Sequence, residues 1–599
     1  MFRIRISSLL CAAVLFLASC GGGDDGTNGY DVNPTTGAGY TYTYPGSGYG
    51  IEHLSTPQTD TSDSSFVYSI DLGSAVKDVF FVFTNVSQTD ATDPPKTADM
   101  AIPSPAQLMS SARTRAASLN AKAAQKGIGL KDRPDIALFN SDPERFIPPA
   151  TTSLLSADMA IAPPAPVLDT VGATTTFYPE GNTTTIVNAT CRQVVSDSSN
   201  SKTLNIWVDD NAWGSGCPEA NCVTQTMVDE IAAKFLTDGT DNDIYDWVTN
   251  IYGAEWGAHG YTNLISTATT NNNLTILLFD IMDDNATNGG ILGYFWAKDN
   301  YTSAAVAYSN ERLMFYIDSN LFAEKDGVSW EITDYWPDIM VGTLAHEFQH
   351  MIHFYQKNVL NNTTSPTWLN EMSSEMAEDF VATKLGIDGP RGVAYTDGSA
   401  GSSGNIYGRL PRFNDFDYIA VTDWMSGDIN DPGDSNVLNS YSLNYAFGAY
   451  LARNFSGASL FQNMVQNSKS DHTAIDDALA ATGYSGETFA SVLQKWGVAT
   501  LLSDDATAAV PAGYRYNTGS FIDTTMNATT YNLGSIDLTN YTSGSQVGPK
   551  VYTSLPPSDA MAGKYKASNM YYLVGSGLTG KVSRFVTLRK GTKLSVVVR

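Results

Sequence analysis

The sequence predicts an α+β protein in which a mixed β-sheet is followed by a lobe of helices. Short apolar runs typical of strands occupy residues 183–187, 204–208, 274–279, 291–296 and 312–317, with a helical run at 227–236. After the last of these strands the periodicity is helical, over residues 339–356, 366–385, 440–455, 460–467, 473–481 and 487–502. Strands and helices that segregate along a chain pack as separate layers, so we expect a cleft between the two lobes.

The composition excludes one class of partner. The chain has 599 residues and a net charge of -27, with a pI near 4.4. Nucleic acid and anionic lipid surfaces are recognised by clusters of Lys and Arg. A chain with this excess of Asp and Glu is not expected to bind them. A hydrophobic content of 42%, with 10 Trp and 31 Tyr, provides a large core. The length predicts several units rather than one domain.

The N-terminal segment predicts export. Residues 1–19 begin with Arg3 and Arg5, continue as a short apolar run and end before Cys20. This pattern resembles a bacterial lipoprotein signal, which implies a lipid anchor on Cys20; a plain secretory signal cut nearby is the alternative. Gly21 after the cysteine permits the outer membrane. No later stretch approaches 18 consecutive apolar residues, so we expect a cell-surface or released protein without a spanning helix.

Four further segments flank the predicted main domain. Residues 20–50 are rich in Gly, Thr and Tyr, which predicts a low-complexity tether. Residues 51–92 alternate apolar and polar side chains, which predicts a small β-module, part of a sandwich. Residues 93–172 are rich in Ala, Pro and Ser with a basic helical run over 106–126, which fits either a linker or an inhibitory prosegment. Strand signals return within residues 509–599, a C-terminal β segment.

The cysteines fit an exported protein but leave their pairing open. Cys11 would leave with the signal and Cys20 would be acylated, so Cys191, Cys217 and Cys222 remain. Cys217 and Cys222 could close a small loop, and Cys191 could pair with either of them. One thiol is left over in every pairing. Their spacing does not resemble that of a structural zinc site.

The pattern H-E-x-x-H occurs at His346, Glu347 and His350, within the helix predicted for residues 339–356. Side chains four residues apart lie on one face of a helix, so both imidazoles can reach a single zinc ion. Glu347 is then placed to act as a base toward a water molecule that zinc activates. The motif predicts a zinc hydrolase.

The next predicted helix, residues 366–385, offers the further ligand that catalytic zinc requires. Glu371 and Glu375 are four residues apart, and Glu378 falls close to the same side. Like charges stacked on one helix face destabilise it unless a cation compensates them. A zinc ion held between the two helices would supply that compensation.

The two motifs together resemble the glutamate-liganded zinc peptidases, the gluzincins. In that class a helix with H-E-x-x-H precedes N-E on a second helix, which stands here at Asn370 and Glu371. The strings HEFQHMIHF and WLNEMSSEMAEDF look most like the hyicolysin family of secreted bacterial neutral metalloproteases, and the likeness covers residues 180–505. It implies a zincin-type catalytic domain, a mixed β-sheet lobe plus a helical lobe, over residues 173–508.

The resemblance also implies roles for the site residues. His346, His350 and Glu371 would bind one zinc ion, and Glu347 would be the general base. Glu375 would be the outer carboxylate that orients the first histidine, which fixes its tautomer and basicity.

The oxyanion formed during hydrolysis also needs a stabilising group. Tyr445, in a segment that resembles the Y-x-x-G helix start of aminopeptidase-type gluzincins, is implied for this role. His472 is the thermolysin-like alternative. His353 cannot share the ion, because in an unbroken helix it lies about 10 Å along the axis from His346; we expect it in the core or at a rim.

Two weaker signals lie upstream of the zinc motif. Residues 293–296 are the candidate for an edge strand that holds the substrate backbone. Asp280, Asp283, Asp284 and Asn285 form an oxygen-rich turn that suits calcium or is an ordinary polar turn, since it lacks the spacing of an EF-hand loop.

The sequence therefore predicts a lipid-anchored zinc endopeptidase that acts on proteins or peptides outside the cytoplasm. The chain lacks the G-x-M-E-N signature of aminopeptidases, and by resemblance this favours an endopeptidase. The alternative is a surface adhesion or binding lipoprotein in which the β-modules carry the function and the zincin fold is vestigial. A binding protein would have no need of Glu347, which favours the enzyme.

Overall fold

Helices and strands lie in separate layers, as the predicted α+β class requires. The structure is a computed structural model that describes residues 39–54, 64–87, 96–97, 129–130, 133–143, 169–267, 272–416, 420–425, 436–553, 566–589 and 591–599. The predictions for residues 1–19, for Cys20 and for the helical run over 106–126 fall outside these residues. Within the described ranges, no helix is both long and apolar enough to cross a membrane.

The described residues contain β-strands that we number in chain order. They are β1 Gly39–Thr43, β2 Gly50–Leu54, β3 Ser64–Asp71, β4 Lys77–Asn85, β5 Lys96–Thr97, β6 Gly129–Leu130, β7 Thr174–Phe177, β8 Val187–Asp197, β9 Lys202–Asp209, β10 Asn273–Phe279, β11 Gly290–Ile291, β12 Gly293–Tyr294, β13 Leu313–Asp318, β14 Ile522–Met526, β15 Thr529–Leu533, β16 Thr542–Ser543, β17 Gln546–Val547, β18 Val551–Tyr552, β19 Ser568–Leu578, β20 Lys581–Leu588 and β21 Thr592–Val598.

The α-helices of the described residues are numbered in the same way. They are α1 Pro134–Ser141, α2 Gln225–Phe235, α3 Ile244–Tyr252, α4 Ser319–Phe322, α5 Tyr335–His353, α6 Thr367–Leu385, α7 Leu410–Phe416, α8 Asn436–Asn454, α9 Ala458–Gln466, α10 His472–Ala481 and α11 Phe489–Leu501. A π-helix, Phe354–Leu360, continues α5.

Six strands form the central sheet in the order β12-β13-β10-β9-β8-β7. The strands β9, β10 and β13 are parallel, and the outer strands run antiparallel to their neighbours, so the sheet is mixed as predicted. The strands β10 and β13 are buried at every position, which explains their unbroken apolar runs. The strand predicted for residues 183–187 is wrong, because β8 begins only at Val187.

The helices predicted after the sheet are all present, with ends shifted by a few residues. The sequence missed α1, α3, α4 and α7, which have eight, nine, four and seven residues. Helices this short give too few repeats of the 3.6-residue period to stand out. Together with one face of the sheet, the helices enclose the largest hydrophobic core.

The N-terminal and C-terminal strands form one β-sandwich, which corrects the predicted division into two separate β units. One sheet has the order β1-β3-β20-β5 and the other β18-β19-β4-β21-β2. The strand β4 pairs antiparallel with both β19 and β21, and β3 pairs antiparallel with β20. Part of the predicted tether is therefore ordered, since β1 and the start of β2 lie within residues 39–50.

The sandwich packs on the helical lobe through α11. Val82 and Tyr571 of the five-stranded sheet share a buried cluster with Val498 at the end of that helix. Gly497 allows the close approach, since a Cβ there would lie 2.7 Å from a methyl of Val82 and 2.6 Å from Oδ1 of Asn569. The two ends of the chain thereby brace the last helix of the lobe.

Candidate metal centre

His346, Glu347 and His350 lie in the second half of α5, a helix that is buried along most of its length. The helix begins at Tyr335 with Pro337 in its first turn, where a missing N–H leaves no hydrogen bond unmade. It packs on β13 and against α6. A helix fixed on both sides holds the two imidazoles in one place.

Glu371 of α6 brings its carboxylate to the two histidines. Its Oε2 lies 3.2 Å from Nε2 of His346 and 3.6 Å from Nε2 of His350. One donor atom of each residue lies within 4.8 Å of the others. The structure thus brings together the three residues that the sequence singled out as ligands.

Side chains of α6 hold the second nitrogen of each ring. Nδ1 of His346 donates to Oε1 of Glu378 at 2.8 Å. Nδ1 of His350 lies 3.0 Å from both Oδ1 of Asn370 and Oγ of Ser374. A proton on each Nδ1 leaves the lone pair of Nε2 free to bind a metal. Asn370 and Ser374 were not predicted, although Asn370 directly precedes Glu371.

The hydrogen bond to Nδ1 of His346 that the sequence assigned to Glu375 is made by Glu378. Glu375 instead accepts hydrogen bonds from Nε of Arg409 at 2.9 and 3.1 Å and from Nη2 at 2.6 Å. The contacts His346–Glu378 and His350–Asn370 run in opposite chain directions, so α5 and α6 are antiparallel. Glu378 also lies about 20° from Glu371 around the helix, against about 40° for Glu375.

Glu347 is completely buried beside the ligands. Neither of its oxygens has a hydrogen-bond partner of normal geometry among the described residues. Burial raises the pKa of Glu347 well above the usual range; the charge of His346 opposes this, and the charge of Glu371 adds to it. The backbone amide of Phe295, next to edge strand β12, lies close enough to lower that pKa slightly.

The ligand cluster favours positive charge. Burial lowers the pKa of His346, but its hydrogen bonds to Glu371 and Glu378 outweigh that effect and raise this pKa to about 10. Burial also works against ionisation of Glu371, yet the charge and hydrogen bonds of the histidines hold its pKa below the usual range. Buried carboxylates in this arrangement stabilise a cation next to Nε2 of His346.

The donor set fits zinc. Nε2 of His350 and both oxygens of Glu347 are buried without hydrogen-bond partners in the described part of the chain, an arrangement that calls for another binding partner. Two imidazole nitrogens and one carboxylate are a typical set for catalytic zinc, with one position left open. Donor atoms of His346, Glu375 and Glu378 also lie within 4.8 Å of one another, but Nδ1 of His346 is hydrogen-bonded to Glu378, and Arg409 already neutralises Glu375.

Tyr441, rather than the predicted Tyr445, is the tyrosine of α8 that lies beside the ligands. Its ring centroid is 6.3 Å from that of His346. Tyr445 is fully buried, and the charged groups that affect its pKa are led by Asp379 and Arg453. The four-residue offset moves a side chain about 6 Å along the helix. The structure therefore does not support Tyr445 as the oxyanion group.

The remaining two histidines of this region lie outside the ligand cluster. His472 begins α10, and its ring lies beside Asp471 and Phe489. No contact joins it to the ligands among the described residues. His353 is buried, with Nε2 2.8 Å from Oγ of Ser365, which confirms the expected core position.

The oxygen-rich turn uses its side chains to stabilise the backbone. Oδ2 of Asp280 accepts from the amide of Asn285 at 2.9 Å, and Oδ1 of Asn285 accepts from the amide of Ala220 at 2.8 Å. Within the described residues, the groups of three or more donors close enough to share an ion lie around His346. Asp283 and Asp284 are not among them, which favours the polar-turn interpretation over calcium.

The structure resolves the pairing of the cysteines. Cys217 and Cys222 form a disulfide bond, which is one of the pairings that the sequence left open. Cys191 is free and buried in β8, and burial raises its pKa to about 12. A thiol in that state is unreactive.

Residues 129–130 and 133–143, from the predicted linker or prosegment, bind the chain on both sides of edge strand β12. The strand β6 pairs with β11 in parallel. Asn140 of α1 donates through Nδ2 to the carbonyl of Phe295 at 2.6 Å, and its Oδ1 accepts from the amide of Ala297 at 2.9 Å. Ser141 bonds to Thr367 at the start of α6. Asn140 therefore occupies backbone groups of Phe295 and Ala297, and the amide of Phe295 lies next to Glu347.

These observations define a class: proteins whose metal centre takes two histidines from one buried helix and a glutamate from the next. The model of the family described as Peptidase M30 matches residues 183–599, and the chain belongs to this family. The match confirms the family that the motif strings predicted. It also includes the C-terminal β segment.

The chain is also similar to a curated protein that is named as a metalloprotease. The neutral metalloprotease ShpI of Staphylococcus hyicus is 26% identical over 286 residues, which are 47% of this chain and 52% of the relative. The chain thus spans about half the length of that relative.

Proposed function

We propose that the protein is a zinc-dependent endopeptidase that hydrolyses peptide bonds of extracytoplasmic proteins. The observation that carries this proposal is the convergence of two imidazole nitrogens and one carboxylate on one buried point, with the buried carboxylate of Glu347 beside them. Membership of a peptidase family supports it. The mixed sheet followed by helices supports a zincin-type fold of the gluzincin kind.

Glu347 is the general base of the proposed reaction. Zinc, when bound, polarises the scissile carbonyl and lowers the pKa of the attacking water. Glu347 takes the proton of that water on a carboxylate oxygen and passes it to the leaving amine. Burial suits this task, because it keeps the carboxylate of Glu347 away from bulk water and next to the ligand cluster.

The edge of the central sheet and α8 position the substrate in this proposal. The strand β12 lies at the end of the sheet, and the backbone amide of Phe295 lies next to Glu347. A substrate strand that pairs with this edge would present its carbonyl to the base. Tyr441, at the end of α8 nearest His346, is placed to stabilise the oxyanion.

The protein is proposed to act outside the cytoplasm as a cell-surface lipoprotein anchored through Cys20. The disulfide between Cys217 and Cys222 supports an oxidising location. Proteins or peptides are the proposed substrates, and the acidic chain is not expected to bind nucleic acid.

Casein hydrolysis tests the proposal against the adhesion alternative. We expect the full-length protein to cleave casein, and we expect a zinc chelator or Glu347→Gln to abolish cleavage, while zinc content stays near that of the unmodified protein in Glu347→Gln. Cleavage that survives both treatments would contradict the zinc mechanism. Absence of cleavage by a protein that contains zinc would favour the adhesion role.

A further inference from the structure

A cavity of about 610 Å³ adjoins the metal centre. The first half of α5, the end of α6 and the loop over residues 386–409 form its walls. Glu378 lies in the wall, and the same carboxylate binds Nδ1 of His346. Leu292, next to β12, and Leu438 of α8 also line the cavity. Its size lies within the range of about 300 to 1,000 Å³ that is typical of ligand pockets.

The walls of this cavity carry an excess of negative charge. Asp326, Asp338 and Asp388 line it in addition to the glutamate shared with the metal centre. Arg409 is the one cation among the described lining residues, and its hydrogen bonds to Glu375 neutralise it. An acidic side chain in the cavity would be repelled, whereas a cationic one would be attracted.

Aromatic side chains complete the walls. Tyr335, Trp336, Tyr395 and Tyr407 line the cavity together with Ile339. The methylene stem of a lysine or arginine packs well on such surfaces while its charged end reaches a carboxylate, and aromatic faces attract cations directly. A purely apolar side chain would desolvate the carboxylates and offer them no partner.

We propose that this cavity, the Asp388 pocket, binds the lysine or arginine side chain of the residue next to the cleaved peptide bond. Its position supports this, because it reaches from the edge-strand side to the carboxylate that holds His346. The protein would then cleave proteins at cationic residues. This inference rests on the proposed peptidase function and specifies its substrate class.

Matched peptides test the pocket. The full-length, zinc-loaded protein is assayed on peptide pairs that differ only in lysine against norleucine, or arginine against citrulline, on either side of one bond. We expect kcat/KM to be higher for the cationic member of each pair at one of the two positions. High salt should narrow the difference, because Asp388 is exposed and its charge is screened.

Variants of Asp388 separate this pocket from other sources of specificity. We expect Asp388→Asn to lower kcat/KM about two- to fivefold for the lysine peptide, the effect of one exposed charge, and to narrow the ratio of lysine to norleucine rates accordingly. Asp388→Lys should lower kcat/KM for the lysine peptide about tenfold or more. Asp523→Asn, an exposed aspartate of the β14–β15 hairpin, is the matched control and should behave like the unmodified protein.

Each outcome supports or overturns the inference. Equal rates on lysine and norleucine peptides, with normal casein cleavage, would overturn the Asp388 pocket and leave the peptidase function standing. A lysine preference that survives Asp388→Lys would overturn it as well, since the selecting group would lie elsewhere. Failure to cleave casein at all would contradict both proposals.

Discussion

The two proposed metal-binding histidines differ in the partner of their second nitrogen. His346 donates to a carboxylate, that of Glu378, whereas His350 lies against the neutral groups of Asn370 and Ser374. A carboxylate partner raises the basicity of an imidazole more than an amide or hydroxyl does. His346 is therefore expected to be the stronger donor to the metal. Its ring centroid also lies 6.3 Å from that of Tyr441.

Substitution of the two tyrosines of α8 tests whether Tyr441, rather than Tyr445, stabilises the oxyanion. Because Tyr441 lies beside His346, we expect Tyr441→Phe to lower kcat for peptide hydrolysis about tenfold or more, with little change in KM. Tyr445→Phe is the control on the same helix and should leave kcat within about twofold. Steady-state kinetics on one peptide measures both. A larger loss of kcat in Tyr445→Phe would contradict the assignment.

Local spacing predicted the ligands but not all of their partners. His346 and His350 share a face because they are four residues apart, and that relation is fixed within one helix. The choice between Glu375 and Glu378 depends on the antiparallel packing of α5 and α6. It also depends on Arg409, which stands 34 residues after Glu375 and belongs to no motif. No spacing within either helix contains that information.

At the scale of secondary-structure elements, residues 129–130 and 133–143 have an unexpected place. Their strand β6 extends β11, and Asn140 binds the backbone on both sides of Trp296. These groups directly follow edge strand β12, which a substrate strand would extend in the proposed mechanism. The contacts favour the prosegment alternative over a linker that is free in solution.

Loosening this segment tests that interpretation. We expect Asn140→Ala to raise kcat/KM for peptides, because the carbonyl of Phe295 and the amide of Ala297 become available to substrate. The same change should lower the thermal unfolding temperature, since about 1–3 kcal/mol is lost when buried polar groups lose their partners. Leu138→Ala, on the exposed side of α1, is the control. Unchanged or reduced kcat/KM in Asn140→Ala would contradict a covering role.

The pairing of elements distant in the chain could not be predicted from the sequence. The alternation over residues 64–71 predicts a strand, and so do the apolar runs near the C-terminus. That β3 pairs with β20 and β4 with β21 depends on register between segments about 500 residues apart. Periodicity reports which face of a strand is buried, but not which strand is its neighbour.

At the scale of the whole molecule, the sandwich joins both ends of the chain to the helical lobe. His53 of β2 contributes to this junction. Its Nδ1 lies 2.7 Å from Oγ of Ser595 in β21, and its Nε2 lies 2.7 Å from the hydroxyl of Tyr514. Burial lowers the pKa of His53 to about 4 from the model-peptide value of 6.5, and the charge of Lys495 acts in the same direction.

This shift predicts a loss of stability in mild acid. The unfolded chain binds a proton at His53 below pH 6.5 and the folded chain only below about 4, so its contribution is complete above pH 6.5 and is lost as the pH falls toward 4. Between pH 7 and pH 5 the expected loss in the free energy of unfolding is on the order of 2 kcal/mol. Urea unfolding at pH 7 and pH 5 measures it. In His53→Gln the difference between the two pH values should shrink, and an unchanged difference would contradict the account.

The central claim is that two helices share one zinc site, and the zinc content of Glu371→Ala tests it most directly. We expect one zinc ion per chain in the purified full-length protein and in Glu347→Gln, measured by elemental analysis after dialysis against a weak chelator. Glu371→Ala should lose the ion under the same conditions, because one of its three protein ligands is gone. Retention of zinc with undiminished affinity in Glu371→Ala would contradict the two-helix site.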